Sequence, residues 1–132
     1  MGLDNGIRID KERTKANITF NPAIVGDSFT NELLYWRKCW GLRDDIVNYL
    51  CDKYNVERDF YSQDLDVDDL IKIREIIHSW SHKKKWTRES RSIWSWKSIK
   101  RSLREDAEVL AYLIALKEKE GDNLVLFFYD SY

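Results

Sequence analysis

The chain has 132 residues, 43% of them apolar and 34% charged, with a formal net charge of −1. That length predicts one domain spanning residues 1–132, large enough to bury a core without staples. The near-neutral charge excludes a global pull toward nucleic acid or membrane, and no apolar run approaches the ~20 residues of a membrane-spanning helix.

The chain opens Met1-Gly2-Leu3-Asp4 with no basic segment followed by an apolar one, so no secretory signal is read and a cytoplasmic protein is expected. Residues 3–9 alternate weakly as a short strand, with Gly6 marking a bulge or a close backbone approach. Ile18-Thr19-Phe20 reads as a second short strand, ended by Asn21-Pro22. Glu32 then opens what reads as the first long helix, running to about Leu50. Its stripe is Tyr35, Cys39, Leu42, Ile46 and Tyr49, with Trp36 and Trp40 as a second pair beside it.

A second helix starts at Asp66 as N-cap and buries Leu70, Ile73, Ile77 and Trp80. From His82 to Ser98 the periodicity fades into a basic loop. A third helix spans about Ser98 to Lys119, on Ile99, Leu103, Ala107, Leu110 and Leu113, and stops at Gly121. Leu124 to Tyr129 is apolar on both faces and reads as a covered strand. The expected fold is α+β: about three helices packed on a small, mainly antiparallel sheet formed by the terminal strands.

Two surfaces are candidates for function. Between Lys83 and Arg104 there are nine Lys or Arg residues against one acid, Glu89. The remaining 110 residues therefore carry thirteen cations against twenty-two acids. The cations are Lys83, Lys84, Lys85, Arg88, Arg91, Lys97, Lys100, Arg101 and Arg104, with Trp86, Trp94 and Trp96 among them. Cations track phosphates and aromatic faces stack on unpaired bases, so a nucleic acid or an acidic protein is the expected partner. The same composition also describes a solvated loop whose tryptophans tuck into the core.

The second surface is a possible cleft of Asp4, Tyr35, Trp36, Arg37, Tyr129 and Tyr132. It forms if the strand ends meet the Tyr35-Trp36-Arg37 segment. The plainer alternative is that Asp4 pairs with Arg37 or Lys38 for structure. Signals for an enzyme are thin: there is no phosphate loop, nucleophile elbow or His-Glu metal helix. His78 and His82 stand four apart without a third ligand, so neither metal nor cofactor is expected.

Three short segments, Met1-Gly2-Leu3-Asp4, Tyr35-Trp36-Arg37-Lys38 and Phe127-Phe128-Tyr129-Asp130-Ser131-Tyr132, fall in the order seen in a family of small bacteriophage- and prophage-encoded proteins of unknown function, which this chain resembles. The chain departs from that family's acidic pattern before the last helix, where it has Lys97, Lys100, Arg101 and Arg104. The resemblance implies a mobile-element origin and no particular chemistry. The expected function is a non-enzymatic interaction module that binds a host or phage macromolecule, either a nucleic acid or an acidic host or phage protein, through the basic Trp-rich surface of residues 83–104. The alternative is a small enzyme or small-ligand-binding protein with a cleft at Asp4, Tyr35 and Arg37.

Overall fold

The computed structural model describes residues 4–21, 32–37, 40–58, 62–82 and 96–131. The elements are β1 (Asp4–Ile9), β2 (Glu32–Arg37), α1 (Trp40–Tyr54), β3 (Ser62–Leu65), α2 (Val67–Ser81), α3 (Trp96–Glu120) and β4 (Leu126–Ser131). Among the described residues, four strands form one antiparallel sheet in the order β2-β1-β4-β3, and three helices pack on one face of it. The fold is α+β, with β1 and β4 paired at the centre of the sheet as the sequence predicts.

The helix-facing rows are Ile7 and Ile9 of β1, Leu34 and Trp36 of β2, Leu126 and Phe128 of β4, and Leu65 of β3. They share one core with Leu42, Ile46 and Leu50 of α1, Leu70, Ile73 and Ile77 of α2, and Leu103, Leu110 and Leu113 of α3. The second helical stripe read from the sequence is therefore buried, as are Leu103, Ala107, Leu110 and Leu113 of the third, whose Ile99 side chain lies outside what the structure describes.

The largest correction concerns residues 32–37, which form an edge strand rather than the first turns of a helix. An unbroken apolar run satisfies both periods locally. Its surroundings settle the matter: β1 has β4 on one side and needs β2 on the other to satisfy its backbone groups. Leu34 and Trp36 then face the helices while Tyr35, 43% exposed, faces away. Helix α1 starts only at Trp40, so of the expected stripe Leu42 and Ile46 are buried and Tyr49 half-buried.

Ile18–Phe20 pairs with no strand. Ile18 and Phe20 still pack half-buried against the core, and the Asn21 amide donates to the Tyr112 hydroxyl at 3.1 Å. The segment that leads there is tied to the start of β4: the amides of Lys15 and Ala16 both donate to the Asn123 carbonyl. The short edge strand β3 was not anticipated, because Ser-Gln-Asp-Leu is too polar and brief to signal a strand. Helix α3 begins two residues earlier than expected. It ends where Gly121 adopts φ +59°, the left-handed conformation that favours glycine.

Asp66 caps α2 through a reciprocal arrangement with Asp69, whose carboxylate accepts from the Asp66 amide at 3.0 Å. Asp69 does more than favour the helix dipole. It is fully buried and also accepts from Tyr49, Tyr54 and Lys53, three residues of α1, so it clamps the two helices together. Burial and this carboxylate push the Tyr49 phenol up to about 12.

Gly6 is the tightest point of the sheet. A Cβ there would stand 2.1 Å from the Leu34 carbonyl oxygen, which belongs to backbone and has nowhere to go. The close approach foreseen for this glycine is thus between β1 and β2. Gly6→Ala is expected to destabilise the protein by at least ~2 kcal/mol through overpacking against a rigid neighbour. Urea unfolding of the variant measures this; a loss below about 0.5 kcal/mol would show that the strands are not so closely apposed.

Candidate functional site at the strand ends

Register brings the described parts of the three short segments together. Asp4 of β1 stands opposite Arg37 of β2 and Ser131 of β4. Asn5 stands opposite Trp36 and Asp130, and Gly6 opposite Tyr35 and Tyr129. Residues opposite one another share a face of the sheet, and the faces alternate along each strand. Asp4 and Ser131 therefore belong, with Tyr35 and Tyr129, to the face turned away from the helices, and the Arg37 side chain lies outside what the structure describes. Asn5, Trp36 and Asp130 belong to the helix-facing side.

On the outward face the Tyr35 hydroxyl donates to Asp4 Oδ1 at 2.6 Å. Two members of the expected cleft are thus in contact, and the carboxylate of Asp4 is held by a phenol. Tyr129 is buried nearby. Its ring reaches from β4 across β1, passing the side-chain-free Gly6, so that its hydroxyl donates to Glu32 on β2. The Arg8 guanidinium lies 3.9 Å from the centre of that ring and also bonds Glu32, at 3.2 and 3.3 Å. Burial, reinforced by Glu32, raises the Tyr129 phenol above its ordinary value. Tyr129 in this arrangement staples three strands, which is a packing role. At the other end of β1 an open depression of about 580 Å³ is lined by Arg8, Ile9, Asp10, Lys11, Glu12, Glu32 and Phe127, with charges of both signs.

The helix-facing side carries a polar cluster. Trp36 lies here, apart from Asp4 and Tyr35, and its indole N–H donates to Asp106 of α3 at 2.9 Å. Burial pushes the Asp106 carboxyl up to about 7, against the indole hydrogen bond, which favours the charged form. Asp130, almost wholly buried, accepts from Arg43 of α1 through Nε at 3.1 Å and Nη2 at 2.6 Å. That pairing, first through the hydrogen bonds from Arg43 to Asp130, raises the guanidinium further above its ordinary value. Between Trp36 and Asp130 sits Asn5, fully buried.

Of the basic surface, Lys83, Lys84, Lys85, Trp86, Arg88, Arg91 and Trp94 lie outside the described residues, as does Tyr132. Lys97, Lys100, Arg101 and Arg104 belong to the first turns of α3, and Arg104 is exposed. At the C-terminal end of α2 the rings of His78 and the capping residue His82 are 6.0 Å apart, and a His82 ring nitrogen lies 2.8 Å from the His78 carbonyl oxygen. Among the described residues, no group of three potential ligands stands ready for a metal, and no helix is long and apolar enough to cross a membrane.

Asn5, Arg43 and Asp106 were missed by the sequence reading. Asn5 and Asp106 left a usable signal, each being a polar residue at a position where the apolar period expects a core side chain. Comparison of the chain with protein-family models, with curated proteins and with solved structures finds no match.

The raised Asp106 carboxyl makes stability depend on pH. The folded chain holds this proton up to about 7, whereas an ordinary aspartate gives it up near 3.8. The group therefore favours folding at pH below ~4, and the contribution is lost as pH rises through 7. Asp106→Asn keeps an acceptor for the Trp36 indole and removes the titration. Relative to the wild type, the variant is expected to gain stability as pH rises from 4 to 8, with a slope of up to ~1.4 kcal/mol per pH unit. Parallel stability curves for the two proteins would contradict this.

Proposed function

We propose that this chain is a non-enzymatic interaction module of bacteriophage or prophage type. It acts in the host cytosol and binds a polyanionic host or phage macromolecule through the stretch from Lys83 to Arg104. The observation that carries this reading is the start of α3 at Trp96. With ~100° of turn per residue, positions 97, 100, 101 and 104 fall within one sector about 100° wide. That sector is offset from the row of Leu103, Ala107 and Leu110, which is buried. Four basic positions thus fall in one sector near the positive dipole end of α3, while the rest of the chain is acidic.

A second reading is a small-ligand-binding protein or small enzyme whose cleft includes Asp4, Tyr35 and Arg37. It is favoured by the Tyr35–Asp4 hydrogen bond and by the register of Asp4 with Arg37. The two readings separate by ligand size. A macromolecule acting through α3 responds to charge reversal there, whereas a ligand at the outward strand ends does not.

Reversing Lys97, Lys100 and Arg104 to Glu is the direct test. Binding to single-stranded and duplex DNA and to RNA at low salt is expected to fall at least ~10-fold with an unchanged melting temperature. For duplex DNA, four neutralised phosphates would give a slope of roughly −3.6 for log affinity against log salt. Absence of nucleic-acid binding by the wild type at low salt would leave an acidic protein as the partner. Retention of every lysate partner by the triple variant would then reject the basic surface altogether.

A further inference from the structure

The helix-facing row of β1 is Asn5, Ile7 and Ile9, all buried. Two of these are apolar, as a covered strand face requires. The third is a carboxamide with no exposure to solvent, and neither its Oδ1 nor its Nδ2 has a hydrogen-bond partner. Its in-register neighbours both carry polar groups, and both are committed elsewhere: Asp130 to the Arg43 guanidinium, and the Trp36 indole to Asp106. Burying an amide in this way gives up its hydration without return. Folded proteins leave few such groups, and each one asks for an explanation.

We propose that Asn5 is the recognition group of a buried site at the strand ends, which takes a small uncharged molecule presenting a hydrogen-bond donor beside an acceptor. The chemistry follows from the surroundings. A carboxamide offers two N–H donors next to a carbonyl acceptor, so its guest must match both. Charge at this place is already balanced by Arg43 against Asp130, and an ion would enter without compensation. An internal water meets the requirement if it finds two to four polar partners. An organic molecule carrying a primary amide or a nucleobase edge meets it as well. The site lies on the opposite side of the sheet from the Tyr35–Asp4 contact and is independent of the basic surface on α3.

The test uses the wild-type protein in solution by NMR. Water-selective cross-relaxation is measured to the Asn5 side-chain amide and the Trp36 indole protons, followed by titration with acetamide and with adenine. A persistent water contact at Asn5 identifies the guest as water. Saturable shifts of the Asn5 and Trp36 signals with acetamide or adenine identify an organic guest. In either case Asn5→Leu abolishes the signal and lowers the melting temperature by a few degrees, roughly 3–6 °C for a chain of this size. The proposal is overturned if the wild type shows neither a water contact nor a saturable shift, or if Asn5→Leu melts higher. Should the variant fail to fold, the wild-type spectra decide alone.

Discussion

The hydrogen bonding of β1 on both its edges is the constraint from which the rest of this structure follows. The strand has only six residues, yet it joins β2 on one side and the pair β4-β3 on the other. Without it the edge strand β2 has no partner and the sheet is reduced to a two-stranded ribbon, which is marginal in water. The cost is a demanding local geometry. Gly6 is admitted because no other residue leaves room for the Leu34 carbonyl, and the gap it creates on the outward face is crossed by the ring of Tyr129. The pairing with β4 also spans nearly the whole chain, from Asp4 to Ser131. Such non-local contacts are slow to form because the loop must close before they reward it.

Along the helix-facing side the sheet changes character from end to end. Ile9, Leu126 and Leu65 make one end wholly apolar; Asn5, Asp130 and Trp36 make the other polar and draw in Arg43 and Asp106 from two different helices. A buried ion pair such as Arg43–Asp130 is weak evidence for stability, since the loss of hydration offsets much of the attraction. What the pair does is fix where α1 meets the sheet, in a direction that apolar contacts alone leave loose. The Trp36–Asp106 bond does the same for α3 against β2, at the expense of a carboxyl that loses its charge near neutral pH.

How much of this the sequence discloses depends on whether a local period has one meaning. Leu70, Ile73 and Ile77 follow a capping aspartate and admit only a helix. The terminal strands are readable as partners because two apolar segments at opposite ends both need backbone hydrogen bonds. Residues 32–37 are not readable in this way: the spacing of Tyr35, Leu42 and Ile46 mimics a helical stripe, and only the demand of β1 for a second neighbour makes the segment a strand. That change of period also explains the fate of the expected cleft. In a strand, Tyr35 and Trp36 point to opposite faces, so Tyr35 meets Asp4 while Trp36 turns inward to Asp106. Asn5 and Asp106 were visible as polar residues in apolar rows. Arg43 left no comparable mark, because its partner Asp130 lies 87 residues away.

Amide hydrogen exchange followed residue by residue tests most directly the claim that a doubly bonded β1 organises the fold. If β1 is held on both edges, the amides of Ile7, Leu34 and Phe128 exchange only through global unfolding, with protection equal to the stability found by denaturant. If β1 amides instead exchange as fast as those of Lys11 and Glu12, which lie beyond its end, the strand is peripheral and the account is wrong.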